Sequence, residues 1–180
     1  MHASVVIIGP AYPLRGGLAS FNERLARQFI AEGDEVALWT FSLQYPSFLF
    51  PGKTQYSSDP QPEGLNIQVR INSVSPLNWV RTGLALKKHK PDILVVRYWL
   101  PFMGPCLGTI LRLVRSNHHT RIICIADNII PHEKRFGDQV WTTYFMKPVQ
   151  AVITMSEQVE QDLVTHYNKP HLRVTHPLYD

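Results

Sequence analysis

Two adjacent glycines, Gly16 and Gly17, stand between an apolar run that ends at Gly9 and an amphipathic segment that begins near Leu18. A glycine lets the backbone approach a ligand closely, and a helix that begins behind it offers free N–H groups and a positive dipole. This arrangement suits the oxygens of a phosphate or a sugar. A tight turn followed by a helix has the same pattern, so the spacing alone leaves both interpretations open. Neither the dinucleotide fingerprint G-x-G-x-x-G nor the P-loop pattern occurs in this loop, which counts against NAD and ATP.

A second group of polar residues follows a later apolar run, in the stretch ADNIIPHEKR. Asp127 and Glu133 could bind sugar hydroxyls, and His132 can exchange protons near neutral pH. The simpler alternative is that Asp127 and Asn128 turn the chain while Glu133 is solvated. The density of polar groups directly after a buried strand favours a functional loop.

Arg97 ends the apolar run ILVVRY, where a charge must either reach a cleft or find a partner. It could contact an anionic ligand, or it could pair with Asp127 at the end of the neighbouring strand. The sequence does not separate these two alternatives.

The stretch WTFSLQYPSFLFPGKTQY is rich in aromatic residues and includes Tyr45 and Lys53. Exposed aromatic side chains in a loop can bind sugar rings, lipid or a membrane interface. The alternative is a loop that folds under its own side chains.

The elements that position these residues follow from the alternation of apolar and amphipathic segments. Strands alternating with helices predict βαβ units, and hence a doubly wound, Rossmann-like α/β fold with a mainly parallel sheet of about seven strands and helices on both faces. The predicted strands are 4–9, 35–41, 65–71, 93–98, 121–126, 151–155 and 172–175. In such sheets ligands bind beyond the carboxyl ends of the strands, which is where the polar loops above would meet.

The helical segments show further patterns. The first helix begins at Gly17 or near Ser20, since Ser20 with Glu23 fits a capping box, and Asn22 and Glu23 fall on its polar face. The other helices are expected at 77–89, 103–115, 137–150 and from Ser156 to Tyr167. The second helix carries three aliphatic residues on one face, Leu77, Val80 and Leu84.

Composition sets limits on the class of protein. Hydrophobic residues make up 44% and charged residues 18% of the 180 residues, and the net charge is +4. This suits a globular domain with weak attraction to anionic membranes or phosphorylated ligands, and it does not indicate a nucleic-acid partner. Cys106 and Cys124 lack metal-ligand spacing and are predicted to be buried thiols. The sequence shows neither a signal peptide nor an uninterrupted membrane span, so a cytoplasmic location is expected.

Taken in order, Gly16-Gly17, Leu25-Ala26, Gly33 and EVALWT resemble the amino-terminal domain of family 4 glycosyltransferases, with Asp34 where the family pattern has histidine. The stretches VVRYWLPFMGP, ADNIIPHEKR, VITMSEQVEQDL and HPLYD are similar to those of bacterial members. Such enzymes have two Rossmann-like domains that face each other across a cleft, the GT-B architecture. The resemblance covers nearly the whole chain.

The resemblance implies that residues 1–180 form the amino-terminal, acceptor-side domain, and that a carboxy-terminal donor-binding domain lies outside this chain. It implies a hexosyltransferase that moves a sugar, with retention, from a nucleotide-sugar donor to a glycan or lipid-linked acceptor in cell-surface polysaccharide synthesis. Neither a metal nor another cofactor is expected, and this fragment alone is expected to be inactive. The expected partners are the second domain, the nucleotide sugar, the acceptor and the inner face of the cytoplasmic membrane.

Two competing hypotheses are a stand-alone Rossmann-like binding module for a small phosphorylated ligand and a peripheral membrane domain that uses the aromatic loop. For the transferase, Asp127 and His132 are the expected catalytic residues near the reacting carbon, and either can occupy the family's active-site histidine position. The remaining site residues are expected to bind donor phosphate or acceptor: Arg15, Gly16, Gly17, Tyr45, Lys53, Arg97, Asn128 and Glu133.

Overall fold

The computed structural model describes residues 2–46, 55–130 and 136–175. The strands in these ranges are β1 (Ser4–Ile8), β2 (Glu35–Leu43), β3 (Asn66–Asn72), β4 (Ile93–Tyr98), β5 (Arg121–Ala126), β6 (Ala151–Thr154) and β7 (His171–Arg173). The helices are α1 (Gly17–Ala31), α2 (Pro76–His89), α3 (Gly104–Arg115), α4 (Asp138–Met146) and α5 (Glu157–His166). None of the helices in the described ranges combines the length and the apolar character needed to cross a membrane.

The strands form one 7-stranded sheet in the order β3-β2-β1-β4-β5-β6-β7. Every neighbouring pair in it is parallel. The strand order reverses between β1 and β4, which is the switch point at which doubly wound sheets open a crevice beyond their carboxyl edge. The predicted α/β class and parallel sheet are confirmed.

Alternate residues of each central strand enter two separate cores, one on each face of the sheet. On β1, Val6 and Ile8 belong to the larger core, which also receives side chains from α2, α3, α4 and α5. Val5 and Ile7 belong to a smaller core against α1. This alternation follows from the two-residue period of a strand, and it confirms helices on both faces.

Helix α1 begins at Gly17, the first of its two predicted starting points. Gly16 is its N-cap residue, and no side chain caps the helix. The expected capping box of Ser20 and Glu23 is therefore wrong, because the helix starts at Gly17 and leaves its first N–H groups without a side-chain acceptor. At the other end of the fold, Ser156 caps α5 as predicted, and its Oγ accepts a hydrogen bond from the Val159 N–H at 3.2 Å.

Helix α3 packs closely against α4 through two glycines. A Cβ atom on Gly104 would lie 2.5 Å from the carbonyl oxygen of Trp141, and one on Gly108 would lie 2.6 Å from Cδ1 of Tyr144. We expect Gly104→Ala to lower the free energy of unfolding by about 1–3 kcal/mol, because the obstacle is backbone and cannot swing aside. Urea denaturation measures the change. Gly17→Ala is the control, since its Cβ meets nothing within 4 Å, and equal transition midpoints for the two variants would contradict the packing argument.

Both cysteines are free and buried, as predicted. Burial raises the pKa of the Cys106 thiol to about 12 and raises the pKa of the Cys124 thiol well above its usual range. Because the thiolate is the reactive form, we expect neither thiol to react with an aromatic disulfide reagent at mildly alkaline pH while the protein is folded. Both should react in denaturing urea, as followed by absorbance. Rapid reaction of either thiol in the native protein would contradict this expectation.

Candidate functional site

The loop with Gly16 and Gly17 joins the carboxyl end of β1 to the start of α1. Gly16 has a φ of 115°, which side-chain-bearing residues rarely adopt. A Cβ atom built on either glycine meets nothing within 4 Å. The first N–H groups of α1 thus lie behind bare backbone that borders open space, which is the geometry that close approach of a phosphate or sugar oxygen requires.

Two side chains of α1 fix the loop that precedes it. Asn22 is fully buried and its Nδ2 donates a hydrogen bond to the carbonyl oxygen of Pro10 at 2.8 Å. The carboxylate of Glu23 accepts a hydrogen bond from the Tyr12 N–H at 2.8 Å. Placing Asn22 on a solvent-facing side was therefore wrong, because the loop folds back over this side of the helix. No local pattern in the sequence indicates these contacts, since the partners are backbone groups.

The same loop is held from its other side. The Thr40 hydroxyl accepts a hydrogen bond from the Ala11 N–H at 3.0 Å. The Arg15 N–H donates to the carbonyl oxygen of Gln55 at 3.0 Å, and Leu14 forms an antiparallel bridge with Tyr56. The backbone ahead of the glycines is thus attached to α1, to β2 and to the last two residues of the aromatic stretch.

Arg97 and Asp127 form a buried ion pair at the carboxyl edge of the sheet. Arg97 is 2% exposed, and its Nε and Nη2 donate to the two carboxylate oxygens of Asp127. Its guanidinium lies 4.0 Å from the ring centroid of Phe21, one turn into α1. Of the two alternatives for Arg97, the structure contains the pairing with Asp127. The pair connects the helix behind the glycine loop with the end of β5.

A cavity of about 630 Å³ opens beside this pair. It is lined by Asp127, Asn128, Ile130, Ser156, Gln158, Val159 and Asp162. Asp127 is 21% exposed, so its carboxylate holds Arg97 and also borders the cavity. Carboxylate, amide and hydroxyl groups at the carboxyl edge of a parallel sheet can bind the hydroxyls of a sugar. Gln158 and Asp162, on α5, were not predicted, because nothing in their spacing distinguishes them from solvated helix residues.

Tyr45 is 7% exposed and belongs to the larger core. Its hydroxyl accepts a hydrogen bond from Trp99 Nε1, its ring lies 6.4 Å from that of Phe102, and burial raises the pKa of its phenol. Tyr45 is therefore buried against the loop that follows β4 and is not an exposed aromatic side chain. Its contact with an acceptor stays a prediction.

The predicted site residues Lys53, His132 and Glu133 lie outside the described residues. In the ranges that the structure does describe, no three histidine, cysteine or acidic side chains are grouped so that they could hold a metal ion. Metal-independent chemistry stays a prediction for this chain. The structure thus brings together Gly16, Gly17, Arg97, Asp127 and Asn128 at one edge of the sheet, with Arg15 exposed beside the glycines.

Fold and site together define a Rossmann-like domain whose glycine loop and polar cavity lie beyond the carboxyl ends of its strands. The sequence model of Glycosyltransferase Family 4 matches residues 15–180. The chain therefore belongs to glycosyltransferase family 4, as its motifs suggested. A comparison with curated proteins found no match.

Solved structures with the same fold include a glycosyltransferase from Rickettsia africae ESF-5, with a TM-score of 0.62 and 13% identity over 98% of this chain and 44% of that one. An alpha-glucosyltransferase in complex with UDP-glucose and DNA containing an abasic site has a TM-score of 0.57 and 16% identity, over 96% of this chain and 42% of that one. A sucrose-phosphate synthase from Thermosynechococcus elongatus has a TM-score of 0.54 and 11% identity, over 96% of this chain and 88% of that one. This chain spans less than half the length of the first two.

Proposed function

We propose that the protein containing this domain is a retaining hexosyltransferase, which moves a sugar from a nucleotide-sugar donor to a glycan or lipid-linked acceptor. The observation that carries the proposal is the family match, which extends over residues 15–180. The UDP-glucose held by one structural neighbour supports a nucleotide sugar as donor. We further propose a role in cell-surface polysaccharide synthesis at the cytoplasmic side of the membrane, with no nucleic-acid partner.

In this proposal the glycine loop serves the departing phosphate or the acceptor. The N–H groups at the start of α1 are fixed before the substrate arrives, because Asn22 and Glu23 hold the preceding loop. Preorganised donors aimed at developing negative charge are among the largest contributions to catalysis. They can assist a leaving phosphate without a metal ion, and the departing phosphate can itself accept the proton of the acceptor hydroxyl.

Asp127 is proposed to contact sugar hydroxyls near the reacting carbon. Its bidentate contact with Arg97 fixes the carboxylate, and Asn128 follows it along the cavity wall. His132 and Glu133 are proposed to contribute from the same loop. Arg15, Tyr45 and Lys53 are proposed on the acceptor side, with Arg97 as the residue that positions Asp127.

We also propose that the donor nucleotide is bound mainly by a second, carboxy-terminal domain. The support is that this chain spans 44% and 42% of the length of two transferases with the same fold. On this view the 180-residue domain alone binds the donor weakly and does not turn it over.

The proposal is tested with the full-length protein and a panel of UDP-, GDP-, ADP- and dTDP-sugars, by measuring release of the nucleoside diphosphate. We expect turnover with one donor class, no loss in the presence of a chelator, and retention of the anomeric configuration by NMR. The proposal would be overturned if the full-length protein released nucleoside diphosphate from no donor in this panel while the 180-residue domain bound a small phosphorylated metabolite. That result would favour a binding module.

A further inference from the structure

A second cavity, of about 220 Å³, lies at the amino edge of the sheet. Helix α3 ends beside it at Arg115, and β5 begins beside it at Arg121. The glycine loop and the larger cavity lie at the opposite, carboxyl edge, so this cavity is separate from the candidate functional site. The residues that line it are Arg115, His118, His119, Thr120, Arg121 and Gln150.

The chain around this cavity carries positive charge with little to balance it. Residues 93–126 and 139–156, which supply its walls, contain no aspartate or glutamate. Asp92 lies next to His119, but its carboxylate already accepts hydrogen bonds from the Ser4 N–H and from His119 Nε2, both at 2.8 Å. The guanidinium groups of Arg115 and Arg121 form neither a hydrogen bond nor an ion pair with any residue that the structure describes.

Capping of α3 does not explain the position of Arg115. Basic side chains near the end of a helix can hydrogen-bond its last carbonyl oxygens. In α3 the carbonyl oxygens of residues 113–115 already accept hydrogen bonds of 2.7 to 3.2 Å from the Ser116 hydroxyl and from the N–H groups of Asn117 and His118. The guanidinium is therefore available to a ligand in the cavity.

A third cation lies close to Arg115. Lys169 Nζ donates to the carbonyl oxygens of Val149 at 2.8 Å and Lys147 at 3.3 Å, which fixes the position of the ammonium group. Burial and, to a smaller extent, the charge of Arg115 lower the pKa of Lys169. Like charges that the fold holds near each other favour binding of an anion, because the anion offsets their repulsion.

The walls of the cavity are fixed before any ligand binds. Asn117 Oδ1 accepts a hydrogen bond from the Thr120 N–H at 2.9 Å, and the Thr120 hydroxyl donates to the Pro91 carbonyl oxygen at 2.6 Å. Gln150 Oε1 accepts from the Ile122 N–H at 2.8 Å, which leaves Nε2 as the donor that this side chain can offer. Preorganised groups of this kind reduce the entropic cost of binding.

We infer that this cavity is a second ligand site, which binds a small anion with a phosphate monoester or a diphosphate through Arg115, Arg121 and Gln150. These donors come from α3, from β5 and from the residue before β6, and donors from three directions suit a tetrahedral phosphate better than a planar carboxylate. Two guanidinium groups favour an anion with at least two charges over a singly charged phosphodiester. The inference does not depend on sugar transfer.

The experiment measures binding of pyrophosphate to the 180-residue protein by isothermal titration calorimetry in about 50 mM NaCl. We expect saturable binding that weakens at least about tenfold in Arg115→Gln/Arg121→Gln, since both charge-assisted donors are removed. The matched control is Arg27→Gln/Arg81→Gln, because both arginines are exposed, on α1 and α2, and neither lines the cavity. Its affinity should equal that of the wild type. Dimethyl phosphate and malonate should bind at least about tenfold more weakly than pyrophosphate.

The histidine rings report where the ligand binds in the unaltered protein. His118 and His119 line the cavity, whereas His89 lies at the end of α2. In NMR spectra pyrophosphate should shift the Cε1–H signals of the first two rings and leave that of His89 in place. Replacing each histidine in turn with glutamine assigns the signals.

Absence of saturable binding by the wild-type protein would overturn the inference, and so would equal affinities of Arg115→Gln/Arg121→Gln and its control. Dimethyl phosphate or malonate binding as tightly as pyrophosphate would refute the class of ligand. Binding that Gly17→Val abolishes, with no shift of the His118 and His119 signals, would place the anion at the glycine loop instead. Release of nucleoside diphosphate by the full-length protein should be unchanged in Arg115→Gln/Arg121→Gln, so failure of this inference is distinguishable from failure of the proposed function.

Discussion

Replacing Asp127 with asparagine is expected to lower the free energy of unfolding by about 3–5 kcal/mol, because it leaves the buried guanidinium of Arg97 without a counter-charge. Arg97 is 2% exposed and Asp127 accepts from two of its nitrogens, so the amide cannot replace both charge-assisted hydrogen bonds. Chemical denaturation of the 180-residue protein measures the loss.

The matched control is Glu160→Gln, which removes a carboxylate from a surface pair. Glu160 lies 3.4 Å from Arg173, which is 47% exposed, so the control should cost no more than about 1 kcal/mol. In the double variant Asp127→Asn/Arg97→Met, part of the loss should be recovered, since the unpaired charge is gone. Equal effects of the two acid-to-amide changes would refute the assignment of a buried pair. A loss of transfer by the Asp127→Asn enzyme must be corrected for its folded fraction before it is attributed to the reaction.

Gly17→Val in the full-length protein is expected to reduce transfer roughly 100-fold or more, because the side chain would fill the space in front of the first N–H groups of α1 and displace the substrate. The same change should leave folding largely intact. A Cβ atom at this position meets nothing within 4 Å, and a valine in an exposed first turn costs less than about 1 kcal/mol. The measurement is kcat/KM with the preferred donor, together with the midpoint of thermal unfolding.

Gln28→Val is the control for this prediction, since it places the same side chain at an exposed position in the last turns of α1. It should change neither transfer nor stability appreciably. Turnover of Gly17→Val at the wild-type rate would show that the glycines serve only the turn.

The sequence was most informative where strands are buried on both faces. The predicted bounds of β4 and β5 agree with the structure at both ends, because ILVVRY and RIICIA are short, mostly apolar runs rich in β-branched residues, and each directly follows a polar residue, Asp92 or Thr120. The bounds of α4 were predicted less well: it ends at Met146 rather than at 150. Its apolar residues continue past the helix into β6, so periodicity alone could not locate the end.

The orientation of α2 shows why an apolar stripe does not always mark the buried face. The inner face packs against α3 at Gly83, where an added Cβ would lie 2.6 Å from Cδ1 of Leu113. Close approach of two helices requires a small residue at the crossing, and this requirement selects the face with Thr82 and Gly83. The spacing of hydrophobic residues cannot identify a buried face that is determined by the small size of its side chains.

The position of the site could be predicted from the sequence, but the contacts of its side chains could be predicted only in part. Arg97 pairs with Ile125 in the register of β4 and β5, which places Asp127 just beyond the guanidinium. Topology therefore predicts proximity. Whether the guanidinium turns toward this neighbour or out into the cleft depends on packing over Phe21, a residue of another element, and no local pattern in the sequence encodes that choice.

The two adjacent glycines should respond differently to a library of substitutions. At Gly16 the φ of 115° makes every other amino acid costly, so a selection for folded protein alone should already remove most replacements. At Gly17, the first residue of α1, the helical backbone accepts any side chain except where a ligand must approach. Selection for sugar transfer, and not for folding, should therefore be what retains the second glycine.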